Sequence, residues 1–164
     1  MNLTNEIKEA ITQDYQAFKE KMYAGKSLKE RQELDQFFTP ADITIDMIEK
    51  FNVESLSELT ILDPTCGSGN LLAACLIAGA DSDKVFGNDY DGVMVDLCKQ
   101  RLNDVCDKLG KPHIKDYQIH RGNALHGFCI SKRSFNDNYY DIYDVAKIDD
   151  IEYDPEAPQE VDLW

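Results

Sequence analysis

Asp63-Pro64-Thr65-Cys66-Gly67-Ser68-Gly69-Asn70 stands directly after the apolar run Thr60-Ile61-Leu62 and directly before an Ala/Leu-rich stretch reaching about Ala78. A short aliphatic run, a turn with two glycines and a helix-forming stretch read as strand, turn and helix. The glycines let the backbone bend sharply and approach a ligand where a Cβ would obstruct it. Asp63, a short acid at the strand end, can accept hydrogen bonds from a ligand's amino group or stabilise a nearby positive charge. The Walker spacing and its terminal lysine are missing, so the turn is not shaped as a phosphate cradle. Taken alone, it also fits a plain glycine-rich turn.

Working outward, Lys84-Val85-Phe86-Gly87-Asn88 gives a second strand that runs into Asp89-Tyr90-Asp91. Asp89 then falls where an α/β nucleotide site carries the acid that binds ribose hydroxyls. Tyr90 offers a ring on which adenine could stack, or packs in the turn. Asp91 is placed to cap a helix carrying Val95, Leu97, Cys98, Leu102, Val105 and Leu109, stopped by Gly110 and Pro112. Tyr117 to His120 gives a third strand and Tyr139 to Ile148 a weak fourth. Strands alternating with helices predict a parallel sheet built from crossover units.

On the N-terminal side, Leu3, Ile7, Ile11, Tyr15, Phe18 and Met22 recur at helical spacing and predict a surface helix over 3–23. Residues 24–34 read as a polar connector. Thr39 then serves as N-cap, with Pro40 at the first helical position and Asp42 at the capping-box position. That helix should run to about Phe51 and bury Ile45, Ile48 and Phe51.

With 43% hydrophobic and 29% charged residues, the 164-residue chain has the make-up of one globular domain able to bury a core unaided. Its longest apolar stretch, Leu71 to Ala80, is about half of the roughly 20 residues a membrane span needs. The N-terminus alternates charged and apolar residues instead of building a signal peptide, so the expected location is cytoplasmic, with no membrane partner. Cys66, Cys75, Cys98, Cys106 and Cys129 lack CxxC spacing and predict reduced, buried thiols; His113, His120 and His126 lack ligand spacing, so no metal is expected.

Against 17 Lys+Arg stand 31 Asp+Glu, a formal net charge of −14. Residues 137–164 hold ten of those acids and a single base, Lys147. Phosphate neutralisation by Lys and Arg supplies most non-specific affinity for nucleic acid, so DNA contact is expected only weakly or through a partner. Lys26, Lys29 and Arg31 read as a solvated helix face.

These segments resemble, in order, the motifs of S-adenosylmethionine-dependent adenine-N6 DNA methyltransferases of the restriction–modification type. Gln36-Phe37-Phe38-Thr39-Pro40 is similar to the family's motif X, which contacts the methionine part of the cofactor. Residues 63–69 are similar to motif I and Gly87-Asn88-Asp89-Tyr90-Asp91 to motif II. Gly122-Asn123-Ala124-Leu125 looks like motif III, where the family usually has Gly-Asp with its acid near the adenine amine; Asn123 keeps one carbonyl acceptor there.

The resemblance implies an α/β, Rossmann-like methyltransferase fold, a truncated parallel sheet with N-terminal helices. Its parts would be an N-terminal helical segment (1–35), a cofactor-binding core (36–136) and an acidic C-terminal segment (137–164). The cofactor implied is S-adenosylmethionine or S-adenosylhomocysteine. Phe38, Thr39 and Pro40 would hold its methionine end, Asp63, Gly67 and Gly69 would form the turn, Asp89 and Tyr90 would meet ribose and adenine, and Asn123 would lie near the adenine.

The family's Asn- or Asp-Pro-Pro-Tyr/Phe run, which clamps the target amine of a flipped base, does not occur in the 164 residues, and no catalytic residue is assigned. Family members also carry further strands and a target-recognition domain. The first expectation is therefore an adenine-N6 methyltransferase-like protein that is incomplete for catalysis by itself. It would depend on a protein partner or on self-association through its incomplete sheet; the exposed edge of that sheet is expected either to be covered or charged by the acidic segment or to take strands from a second protein. The alternative is a degenerate, phage-like methyltransferase fold, an anti-restriction or DNA-mimic-like module whose acidic surface docks on a host modification or restriction enzyme. A third reading is an enzyme that hydrolyses or cleaves S-adenosylmethionine.

Overall fold

A computed structural model describes residues 2–35, 38–51, 53–124, 128–134 and 137–144. The apolar stripe near the N-terminus forms helix α1 (Asn5–Tyr23), capped by the Thr4 hydroxyl, which accepts the Ile7 N–H at 3.3 Å. Leu3, Ile11 and Tyr15 of that stripe are buried. The expected connector contains a second helix, α2 (Leu28–Asp35). Ser27 and Glu30 start it as a capping box: the Glu30 carboxylate accepts from the Ser27 N–H at 2.8 Å and from its hydroxyl at 2.6 Å. With Leu28 73% exposed, the helix has no apolar periodicity to betray it.

Helix α3 (Ala41–Glu49) begins one residue later than its spacing suggests. Pro40 is the N-cap in extended conformation, and no side chain caps the helix, so Thr39 and Asp42 do not form the expected box. A proline φ of −60° suits either role. The Pro40 carbonyl accepts both the N–H and the hydroxyl of Thr44 at 3.0 Å. Ile48 is buried, whereas Ile45 and Phe51 are only half-buried and the helix stops before Phe51.

Three strands, β1 (Ile61–Asp63), β2 (Val85–Asp89) and β3 (Ile119–Arg121), make a parallel sheet in the order β1-β2-β3. Ile61 lies opposite Val85, and Asp89 opposite Arg121. Helix α4 (Asn70–Ile77) joins the first two strands, and α5 (Gly92–Leu109) joins the second and third. Apolar on every side, α4 packs on α1, α3 and α5 as well as on β1 and β2. Val95, Cys98, Leu102, Val105 and Cys106 form the buried stripe of α5, which ends at Gly110 with φ 64°; Leu97 and Leu109 lie off that stripe. Cys66, Cys75, Cys98 and Cys106 are buried free thiols, as their spacing predicts.

The weak fourth strand is corrected in partner and direction. Residues Asp137–Asp144 form β5, which pairs antiparallel with β4 (Phe128–Ser134), so they extend a hairpin and not the parallel sheet. Residues 145–148 of that strand, and the remainder of the acidic segment, lie outside the described residues. No helix among the described residues is long and apolar enough to cross a membrane.

Candidate functional site

The carboxyl ends of β1, β2 and β3 are drawn together by one buried side chain. Asn88, 1% exposed, donates through Nδ2 to the carbonyls of Pro64 and Gly122, each at 3.1 Å. Its backbone carbonyl accepts the Cys66 N–H at 2.8 Å, and the Asp89 backbone carbonyl accepts the Gly122 N–H at 3.1 Å. The turn after β1, the acid ending β2 and the turn after β3 therefore form one rigid rim. Asn88 reads in the sequence merely as part of a strand. A polar residue inside an otherwise apolar strand was the available signal, because burial obliges such a group to find partners.

Within that rim the glycine turn has a defined shape. Gly67 and Gly69 both take positive φ, 53° and 81°, and Gly69 leads straight into α4. A Cβ on Gly69 would stand 2.7 Å from the Cys98 sulfur, and one on Gly87 2.9 Å from Leu72. These glycines thus serve close packing of the turn on α5 and of β2 on α4. Cys66, buried in the same turn, interacts with Cys98, and that contact together with burial holds its thiol far above the usual range and keeps it protonated.

Asp89 faces the turn directly. One carboxylate oxygen accepts the Gly67 N–H at 2.8 Å and the other the Asp91 N–H at 2.9 Å. Asp63, half-buried at the end of β1, accepts the Thr65 N–H at 3.1 Å. Burial raises its carboxyl above the ordinary value, the charge of Asp89 adds to the rise, and the Thr65 bond opposes it. Two carboxylates thus converge on a turn whose residues 63–70 carry no base. Such a set of acceptors suits a cationic or amine-bearing ligand and disfavours a phosphate.

The other sequence-predicted residues surround this centre. Phe38 is buried, with its ring edge-on to Phe18 at 5.7 Å, whereas Thr39 and Pro40 are exposed. The Thr39 carbonyl accepts from Asn70 Nδ2 at 3.3 Å, which joins the 38–40 segment to the end of the glycine turn. Tyr90 is 76% exposed, so it is not a packing residue. Asp91 caps α5 by accepting the Val93 N–H at 2.8 Å. Asn123 is half-buried just beyond β3. Gln36, Phe37 and Leu125 lie outside the described residues. A cavity of about 630 Å³ between α5 and β3, lined by Asp91, Lys99, Asp116 and Arg121 among others, adjoins the rim without including the turn.

Two residues that the sequence reading passed over join the site from beneath, Asn70 and Arg101. Arg101 is 5% exposed on the apolar stripe of α5, and its position between Cys98 and Val105 was the available signal.

A parallel sheet with crossover helices, and with the glycine turn and acids gathered at its carboxyl edge, defines a Rossmann-like α/β protein of the methyltransferase type. The model of the N-6 DNA methylase family matches residues 9–136, most of the chain, and the chain belongs to that family. A Type II methyltransferase, M.VspI of Vibrio sp. (strain 343), is 34% identical over 70 residues. That match covers 43% of this chain and 17% of the relative, so the similarity spans only a small part of the relative's length.

Proposed function

We propose that the chain binds S-adenosylmethionine or S-adenosylhomocysteine at the carboxyl edge of the sheet. It would serve adenine-N6 methylation of DNA once the target amine is held by a protein partner or a second copy. The observation that carries this reading is the convergence of Asp63 and Asp89 on the base-free turn at Gly67 and Gly69. The repulsion between the two carboxylates would be relieved by a ligand with sulfonium and ammonium charges.

Phe38, Thr39 and Pro40 would flank the methionine end. Asp89 would receive the ribose hydroxyls on lone pairs left by its two backbone donors, since a carboxylate offers about four such sites. Tyr90 would give the adenine a stacking face, and Asn123 would accept from its amine. The cofactor supplies a methyl group on a positive sulfur. What this chain's residues contribute is position and electrostatics: the turn fixes the ligand's approach and the acids match its charge.

The edge of β1, which pairs with β2 alone among the described strands, offers a partner or a second copy a place to add strands. The ten acids of residues 137–164 favour a second reading, a docking module for a modification or restriction enzyme. A cytoplasmic location is part of the first proposal, since that is where cofactor and DNA meet.

Calorimetry with S-adenosylhomocysteine tests the binding, and undetectable affinity overturns it. Chromatography of S-adenosylmethionine after incubation with adenine-containing DNA, with and without candidate partners, separates the activities. Methyl transfer only with a partner supports the first reading. Persistently intact cofactor favours the docking module, and cleavage products would instead reveal hydrolase or lyase chemistry.

A further inference from the structure

Arg101 is a buried cation whose two terminal nitrogens and ring-facing side each meet a neighbour. Its Nη2 donates to Asp14 of α1 at 3.1 Å, and its guanidinium carbon sits 4.0 Å from the centroid of the Phe18 ring. Its Nη1 donates to the Asn70 side-chain carbonyl. That last bond decides which way the Asn70 amide faces. With Oδ1 committed to the guanidinium, Nδ2 points away from it and donates to the Thr39 carbonyl at 3.3 Å.

Two paths thus run from Arg101 to the same short segment. One passes through Asn70 to the Thr39 carbonyl. The other passes through Phe18, which meets Phe38 edge-on at 5.7 Å and 69°. Asn70 directly follows Gly69, so the residue that fixes the 38–40 segment also ends the glycine turn.

We propose that Asn70 and Arg101 are positioning residues that set the spacing between the 38–40 segment and the 67–69 turn, and so the grip on the amino-acid portion of the cofactor. This rests on the proposed reading that those two segments hold that portion. Arg101 itself is too buried to touch the ligand, so it acts only through Asn70 and Phe18.

The test compares S-adenosylhomocysteine with 5′-methylthioadenosine, which keeps the nucleoside and thioether and lacks the amino acid. Calorimetry of Asn70→Ala and Arg101→Lys should show the first ligand weakened about tenfold and the second changed less than about twofold, as loss of one buried positioning bond implies. Should Asn70→Ala be unfolded at the assay temperature, Asn70→Asp replaces it, since it keeps an acceptor for Arg101 and sets a carboxylate oxygen against the Thr39 carbonyl where the donor stood. The double variant should lose clearly less than the sum of the two single variants, because the two residues share the path through Asn70.

Equal weakening of both ligands, or of neither, overturns the proposal while leaving the cofactor site intact. Should methylthioadenosine bind too weakly to compare, the double variant decides: additive losses overturn the proposal and a shared loss supports it. Failure of the unsubstituted chain to bind either ligand would overturn instead the reading on which the proposal rests.

Discussion

The Gly67 N–H points at the Asp89 carboxylate across 2.8 Å, so the acid that ends β2 holds the glycine turn after β1. The second oxygen of Asp89 accepts the Asp91 N–H at 2.9 Å and fixes the turn into α5 as well. Asp89 therefore shapes the site before any ligand arrives. An amide in its place can accept only one of these bonds and sets an NH2 against the other donor. Asp89→Asn is expected to destabilise the ligand-free protein by about 1–3 kcal/mol, the range for losing a hydrogen bond to a charged group. Thermal denaturation without ligand checks this, and an unshifted midpoint would mean that Asp89 serves the ligand alone.

Gly69 combines a left-handed backbone, φ 81°, with a steric limit, the Cys98 sulfur 2.7 Å from where its Cβ would stand. The two costs are separable. Gly69→Ala should lose about 2–4 kcal/mol, from about 1–2 for the left-handed conformation together with overpacking. Adding Cys98→Ala opens space and should recover the overpacking part, leaving the backbone part. Denaturant unfolding of the single and double variants measures both; strict additivity of the two substitutions would show that the thiol does not limit the turn.

Asp63 makes stability depend on pH in a definite sense. Burial, aided by the charge of Asp89, raises its carboxyl above the ordinary 3.8, so the folded state holds that proton more tightly than the unfolded chain does. Protonation then favours folding. Its contribution is present below the unfolded pKa and is lost as pH rises through the folded one. Asp63→Asn keeps an acceptor for the Thr65 N–H and removes the cost of ionisation. The variant should melt above the parent at neutral pH, with the gap closing as pH falls through the raised folded pKa and closed by the time it reaches the ordinary 3.8. A gap of the same size at about pH 3 would assign the effect to something other than this carboxyl.

The chain's alternation of strand and helix was legible because each element announces itself by a local device. The glycine pair marks the turn into α4, Asp91 caps α5, and Gly110 ends it. Where no local device operates, the sequence says less. Helix α2 lacks an apolar stripe, and only Ser27 and Glu30 signal it. Strand β5 has the composition of any exposed strand, and its antiparallel partner β4 is a matter of tertiary pairing that no short window contains. The same distinction separates the site residues. Asp63, Gly67, Gly69 and Asp89 lie in two short motifs, whereas Asn70, Asn88 and Arg101 acquire their roles from contacts 24 to 87 positions away in the chain.

Gln118 belongs to this second group and gives the sharpest test of long-range satisfaction. It has no solvent exposure, and its amide is bonded at both ends: Nε2 donates to the carbonyls of Ser82 and Val85 at 2.7 Å each, and Oε1 accepts the Lys115 N–H at 2.6 Å. It thereby ties the start of β3 to the start of β2. Gln118→Leu should cost about 2–5 kcal/mol, since it takes a partner from two buried carbonyls and from the Lys115 N–H. Gln118→Glu keeps the acceptor for Lys115 but buries a carboxylate against two carbonyls, which must drive its pKa upward. Its deficit should therefore shrink on acidification, because the protonated acid regains one donor and sheds the charge. Unfolding midpoints of the three proteins from neutral pH to about pH 4 read this out; a Glu variant whose deficit does not change with pH would show that its side chain has escaped to solvent and that the strand starts can part without loss.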